Sequence, residues 1–193
     1  FLNRDDLSAT VLGTFISLAE AQMNRDIRHH EMLGTSTTTV NTKYLTKPTD
    51  WLETVKLSIT GSGTSVLKLV SVAHMADARE ANEDTSGVPM RYTQTSQFIE
   101  LYPTPDGDYE TELTYYQQIP ALTDLNTSNW LLDTAPDVYL YGSLLHTSGY
   151  LGEDARLSTW AQLYSAAVQR LNEVSDSASW SGTGLTMRNR GLS

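Results

Sequence analysis

Trp51-Leu52-Glu53-Thr54-Val55-Lys56-Leu57-Ser58-Ile59-Thr60 alternates with a period of two. Trp51, Val55, Leu57 and Ile59 share one face with Glu53, while Thr54, Lys56, Ser58 and Thr60 take the other. That is the pattern of a half-buried strand, and it makes this part of the chain β-rich. Its surroundings agree. Ser36–Leu45 is rich in Thr, and Pro48 interrupts before the strand. Gly61-Ser62-Gly63 reads as a tight turn, with Val66–Val72 returning as the second arm of a hairpin. His74–Asn82 reads as a short helix and Glu83–Val88 as a loop. Tyr92–Thr93 and Gln97–Tyr102 read as short strands. In Pro103-Thr104-Pro105-Asp106-Gly107-Asp108 the prolines fix φ and Asp-Gly allows a positive φ, so the chain turns. Tyr109–Gln118 is expected to pair back, with Tyr109, Thr111, Leu113 and Tyr115 on one face.

Outside this region the period becomes helical. In residues 10–33, Leu12, Phe15, Ile16, Ala19, Met23 and Ile27 form one apolar stripe. Asp6 or Ser8 can cap its start and Gly34 supplies a stop. After Pro120, Thr134 is expected to cap a helix with Pro136 in its first turn and Asp137 three residues on. The stripe of that helix is Val138, Tyr141, Leu144 or Leu145, and Ser148. Residues 153–174 carry another, through Leu157, Trp160, Ala161, Tyr164, Val168 and Leu171. The bend Gly149–Gly152 is short enough to make these two helices antiparallel neighbours. The expected fold is α+β. Residues 1–35 and 119–176 form a helical bundle, 36–118 a β-rich insertion, and 177–193 an extended C-terminal arm. Phe15, Met23, Trp130, Tyr141, Leu144, Trp160 and Tyr164 are expected in the core of the bundle.

The chain has 193 residues, 13 Lys and Arg against 23 Asp and Glu, a net charge of −10, and no cysteine. Its length suits one domain or two small lobes. The acidic balance argues against a surface that grips nucleic-acid phosphates all over. Disulfides, thiol nucleophiles and Cys-ligated zinc are excluded. No apolar run approaches the roughly 20 residues of a membrane span, and the start Phe1-Leu2-Asn3-Arg4-Asp5-Asp6 does not read as a signal peptide. Close to a quarter of the residues are Ser or Thr, a composition that suits faces covered by neighbouring molecules. Residues 177–193 contain Arg188 and Arg190 and no acid, so the body carries 11 − 23 = −12 and the tail +2. The tail also keeps Trp180, Leu185 and Met187, which a solvated linker does not need. It reads as an arm with these three residues as anchors.

Catalytic and metal motifs are missing. His29 and His30 are adjacent and point about 100° apart on a helix; Asp26 and His30, one turn apart, could ligate a metal, but a solvated helix end is the better reading. His74 and His146 are isolated. In Asp106-Gly107-Asp108-Tyr109-Glu110-Thr111-Glu112 the glycine is second, where a calcium loop needs it sixth; a turn leading into a polar strand face is the better reading. There is no nucleophile elbow, Walker loop, dinucleotide fingerprint or basic-aromatic platform. Tyr115, Tyr116, Tyr139, Tyr141, Trp130 and Trp160 have the spacing of core or subunit contacts rather than of a sugar site.

An ordered set of segments spans nearly the whole chain. It begins with Phe1–Asp6 and Phe15–Arg28, continues through Pro48–Glu53, and then runs Ile99–Pro103, Leu113–Tyr116 and Ile119–Leu122. The most specific part is Asn129–Leu132, Pro136–Leu145 and Tyr150–Asp154, and Trp180–Arg188 closes the set. Together these resemble the head-to-tail adaptor (connector) proteins of tailed bacteriophages. The segment Thr60–Gly87 matches little, and the family's usual residues before the first helix are absent. The resemblance implies a structural virion protein and no enzyme, with no cofactor and no catalytic residues. It implies a homo-oligomeric ring of about twelve copies between a portal protein and a tail or nozzle protein. In such an assembly Trp180, Leu185 and Met187 are expected to dock on the portal or a neighbouring subunit, with Arg188 and Arg190 pairing acids there. Double-stranded DNA would pass through it non-specifically. The location implied is the neck of the virion after assembly in the host cytoplasm, without membrane contact. Two competing readings are a receptor- or glycan-binding virion module built on residues 92–118, and a metal-assisted hydrolase using Asp26, His29 or His30.

Overall fold

The computed structural model describes residues 7–61, 64–81, 85–147 and 155–180. The protein is α+β and divides into two compact units, one of residues 1–32 with 119–193 and one of residues 33–118.

In the helical unit, α1 spans Ala9–Asp26, α3 Trp130–Thr134, α4 Pro136–Leu145 and α5 Leu157–Trp180. Ser8 caps α1 by accepting the Val11 N–H. The apolar stripe buries Phe15, Ala19, Met23 and Ile27, but Leu12 stays 41% exposed. The helix stops at Asp26, earlier than Gly34 would place its end. Asn172 of α5 causes this: its Oδ1 takes the Arg28 N–H at 3.1 Å while its amide donates to the Asp26 carbonyl. A 3-10 turn, His30–Met32, then leads out of the unit. Asn129, not Thr134, is the N-cap that matters here. It accepts the Leu132 N–H at the head of α3, whereas Thr134 ends α3 and α4 begins on Pro136 with no side-chain cap. The buried face of α4 is Val138, Tyr139, Gly142 and Leu144, so Tyr139 lies deeper than Tyr141. Helix α4 packs against both α1 and α5. A Cβ added at Gly142 would lie 2.9 Å from Met23 Cε and 3.2 Å from Tyr164 Cε2. The absence of a side chain there is what lets three helices approach. Helix α5 runs through Trp180, so residues 177–180 are helical and not part of an extended arm.

The second unit holds two four-stranded sheets and α2 (Val72–Ala81). The strands are β1 (Leu33–Val40), β2 (Tyr44–Thr46), β3 (Trp51–Ile59), β4 (Ser65–Val66), β5 (Lys68–Leu69), β6 (Arg91–Gln94), β7 (Phe98–Tyr102) and β8 (Tyr109–Gln117). One sheet has the order β1-β8-β3-β4 and the other β2-β7-β6-β5. Strand β8 presents Thr111, Leu113 and Tyr115 inward, the face its alternation marks. It does not pair back on β7: the proline turn carries the chain from one sheet to the other, and β8 pairs with β1 and β3. Gly34 is a strand residue opposite Tyr115.

Strand β3 departs from strict alternation. Its register against β8 shifts between Trp51 and Glu53 and again between Thr54 and Lys56. Each shift inserts one extra residue and reverses the phase of the side chains. Thr54 therefore faces Tyr115, while Val55 is 51% exposed, and Leu57 and Ile59 regain the core side. The expected hairpin arm is also cut short. Only Ser65 and Val66 pair with β3; at Leu67 the chain crosses to the other sheet, where β5 runs parallel to β6. Leu67 is buried at the crossing, its N–H bonded to the Leu57 carbonyl at 2.9 Å. Both sheets contribute to one core that includes Val40, Leu57, Leu67, Tyr92, Ile99 and Leu113. Each fully buried aliphatic side chain there contributes roughly 1.5–3 kcal/mol of transfer free energy.

The segment Thr60–Gly87 earns its place through Arg79 on α2. Its guanidinium sits 2.8 Å from Glu100, donates to the Leu101 carbonyl at 2.7 Å and reaches Thr104. Lys43 meets the same carboxylate at 3.2 Å. The Tyr102 hydroxyl donates back to the Ala78 carbonyl, so α2 is fastened at two points to β7.

Two variants test this packing. Gly142→Val should destabilise the helical unit by about 1–3 kcal/mol through overpacking, lowering Tm by roughly 2–12 °C in a thermal melt. Arg79→Lys keeps the charge but loses the planar fork. Urea melts should show a cost of about 1–3 kcal/mol and faster hydrogen exchange confined to α2.

Candidate functional site

The chain returns from the β unit at Ile119 and is seized by α1. The Asn24 side-chain oxygen Oδ1 accepts the Ile119 N–H at 2.8 Å, and Glu20 Oε1 accepts the Leu122 N–H at 2.7 Å. The Tyr139 hydroxyl also donates to Glu20, at 3.2 Å, and Asn129 donates to both the Tyr139 oxygen (2.6 Å) and the Pro120 carbonyl (2.7 Å). Burial pushes the Tyr139 hydroxyl up to about 12, with the Glu20 charge adding to the shift. Every polar group in this buried set is bonded, so it fixes a surface without destabilising it.

The surface it fixes is an apolar groove of about 420 Å³ between α1 and α4. Leu12, Phe15, Ile16, Leu122, Leu140 and Leu144 contribute to its lining, and no charged side chain does. A second groove, of about 550 Å³, runs between α1 and α5. Leu145 and Val168 give it an apolar floor, and Asp26, Glu173 and Asp176 an acidic rim. In the β unit, β1 is an edge strand of eight residues, Leu33-Gly34-Thr35-Ser36-Thr37-Thr38-Thr39-Val40, with no charge and no proline.

Of the residues singled out from the sequence, Phe15, Met23, Leu144, Trp160 and Tyr164 are buried in the helical unit, and Trp130 and Tyr141 are half-buried. Trp180 ends α5, and Leu185, Met187, Arg188 and Arg190 lie outside the described residues. Within residues 92–118, Tyr92, Tyr102 and Tyr115 are buried and Phe98 is the exposed aromatic, its ring 5.8 Å from that of Tyr44. The acidic run after Pro105 is spent on local structure. Asp106 accepts the Tyr109 hydroxyl, Asp108 accepts the Asn41 amide, and Glu112 pairs with Lys56 at 3.0 Å. Among the described residues, no group of three His, Asp or Glu side chains could hold a metal ion. No helix among them is long and apolar enough to cross a membrane.

His29 and His146 have structural partners. His29 is buried, its ring stacked on Trp130 at 5.1 Å, and its Nδ1 accepts the Glu31 N–H. Burial lowers its pKa below the usual 6.5; the neighbouring His30 adds to the shift and Glu31 opposes it. His146, bonded to Gln22, is lowered too, first by burial and then by the charge of Arg25. Asp26 accepts the Tyr164 hydroxyl at 3.1 Å, away from both imidazoles of His29 and His30 in its bonding.

The sign of the pH dependence follows. A histidine whose folded pKa is depressed binds its proton more readily in the unfolded chain. The stability it allows is complete above pH 6.5 and falls as the pH drops toward and through the lower folded pKa. Chemical denaturation at pH 7.5, 6.5 and 5.5 should show this decline, with a shallower slope for the double variant His29→Asn/His146→Asn.

No curated protein matches the chain. A family model described as the SU10 adaptor protein matches residues 1–188, from the first residue through most of the tail. The chain therefore belongs to the SU10 adaptor protein family, in keeping with its resemblance to phage head-to-tail adaptors.

Proposed function

We propose that this protein is a structural ring component of the virion neck, joining the portal to the tail or nozzle and leaving a passage for the genome. The observation that carries this reading is the family match over residues 1–188, which takes in both units. The reading has about twelve copies closing through heterologous contacts, in which each presents two different faces. Two surfaces suit such contacts: the uncharged groove between α1 and α4, and the unguarded edge of β1. Residues 1–35 and 119–176 act as the bundle, with α4 and α5 as its antiparallel pair and the seven aromatic and apolar residues named above as its core. Residues 36–118 act as the insertion. Trp180 at the end of α5, and Leu185, Met187, Arg188 and Arg190 after it, bind the portal or a neighbouring subunit. The net charge of −10 supports a lumen that repels DNA phosphates, so the duplex slides without sticking. No catalytic step is required of any residue, and assembly takes place in the host cytoplasm.

Electron micrographs of the purified protein, alone and mixed with portal, test the reading. Closed rings are expected in at least the second sample. Leu12→Asp places a charge at a 41% exposed position of the groove, so the melting temperature should stay within a few degrees while ring yield falls at least tenfold. Truncation after Trp180 keeps α5 whole and should weaken portal attachment. Rings that form equally well with Leu12→Asp remove the groove from the interface; a particle holding a single copy of the chain overturns the ring.

A further inference from the structure

We propose that the open edge of β1 is the seat of a second copy's β1, paired antiparallel about a two-fold axis through Thr37. The pairing concerns the free chain and does not rest on ring formation. The ladder shows which backbone groups are on offer. The Glu110 carbonyl accepts the Thr60 N–H at 2.8 Å, and the Gln118 N–H donates to the Asp50 carbonyl at 2.7 Å, so the even-numbered residues of β8 bond toward β3. Alternate residues of a strand bond to opposite sides, so Thr111, Leu113 and Tyr115 bond toward β1. Their partners are Thr38, Ser36 and Gly34. The N–H and C=O groups of Thr35, Thr37 and Thr39 are therefore aimed away from the sheet. All three threonines are exposed, and among the described residues no strand pairs with β1 on that side.

The other edges are guarded. Strand β2 is three residues long and stands between Lys43 and Lys47. Strands β4 and β5 have two residues each, and β5 begins with Lys68. The length of β3 that β4 leaves uncovered carries both register shifts, together with Glu53 and Lys56. Shortness, lysine and bulges are the usual means of keeping an edge from pairing. Strand β1 has none of them: it runs eight residues without charge, proline or register shift. A partner strand from the same chain has to match that length without a bulge, and among the described strands with an open edge β1 itself is the one that does.

The pairing is self-complementary. With Thr37 opposite its own counterpart, Thr35 faces Thr39 and Thr39 faces Thr35, and each of these pairs exchanges two backbone bonds. Their side chains lie on the face away from the core, where threonine hydroxyls opposite one another across two strands can bond. On the core face Ser36 meets Thr38, and Gly34 meets Val40, so small residues stand against branched ones. No charge meets a like charge along the strand, although each copy carries −10 overall. The product joins the two copies' β1-β8-β3-β4 sheets into one, with the guarded β4 at each end, so pairing stops at two copies. Contacts across a two-fold axis are isologous, whereas a cyclic ring closes through heterologous ones. A ring contact that uses this edge has to displace the pair first.

Sedimentation equilibrium of the full-length chain from about 10 to about 200 μM tests the pair, and the mean mass should rise with concentration toward that of two copies. Thr37→Lys and Thr37→Glu each set like charges across the axis at an exposed position. Each should weaken pairing at least tenfold, and an equimolar mixture of the two should regain it. Thermal melts within a few degrees of the unsubstituted chain show that the variants are folded. The absence of cysteine lets the register be read directly. With oxidised glutathione as oxidant, Thr37→Cys should give a disulfide dimer, because the Cα atoms of a hydrogen-bonded pair stand about 5.5 Å apart. Thr35→Cys alone should link at least tenfold more slowly, since its two copies lie about 14 Å apart along the strands; mixing Thr35→Cys with Thr39→Cys should restore the rate. A chain that stays monomeric throughout overturns the pair. So does a dimer that Thr37→Lys leaves intact, or one that links equally fast at Thr35. Rings are counted separately by microscopy: a monomer that still closes rings with portal sinks the pair alone, and a β1 pair in a chain that never forms rings sinks only the neck reading.

Discussion

A single buried carboxylate governs how the helical unit closes. Glu20 sits on α1, yet its partners are the Leu122 N–H and the Tyr139 hydroxyl, both reached only after the chain has traversed the whole β unit. A carboxylate out of water is tolerated only where donors surround it, so this one holds the returning segment and α4 to α1 at once. Asn24 one turn along α1 and Asn129 at the head of α3 extend the same clasp. The apolar stripes supply most of the driving force, but they are non-directional. These bonds determine which part of residues 119–122 lies against which turn of α1. The groove between α1 and α4 inherits its shape from them.

The stripes were legible because packing imposes their period. Phe15, Ala19 and Met23 on α1, Leu113 and Tyr115 on β8, and Trp160, Tyr164 and Leu171 on α5 are buried as their spacing indicates. What escaped was everything set by a particular distant partner. The end of α1 looked like a matter for Gly34, but Asn172, far along the chain, stops the helix sooner. Val55 has the right phase to be inside, and two bulges against β8 turn it out. Thr134 followed by Pro136 has the look of a cap, yet Asn129 does the capping, because α3 occupies the space just before α4. No local rule predicts a sheet crossing at a plain leucine: Val66–Val72 has the pattern of a single hairpin arm, whereas the short helix beyond it is legible at His74–Asn82.

The candidate surfaces were harder to see than the fold. An apolar groove is composed of residues that also look like core, and Leu12 belongs to the same stripe as Phe15. Only the packed helices show that the stripe is wider than what α4 covers. The histidines show the converse. Their chemistry made them conspicuous in the sequence, whereas the structure uses His29 as a flat, neutral partner for Trp130. The acids of α5 gain a context only in the packed helices, where eight residues of that helix line one groove with Gln22 and Asp26 of α1.

The β unit is entered at Leu33 and left at Gln118, and Leu33 pairs directly with Tyr116 across the β1–β8 ladder. The incoming and outgoing chains therefore stand side by side in one ladder, with β3 on the far side of β8. An insertion whose two ends meet in one ladder can be enlarged, trimmed or exchanged while those ends keep their spacing. Variation among relatives should accumulate away from that pairing, and a foreign domain whose termini lie a strand's width apart could be grafted in its place.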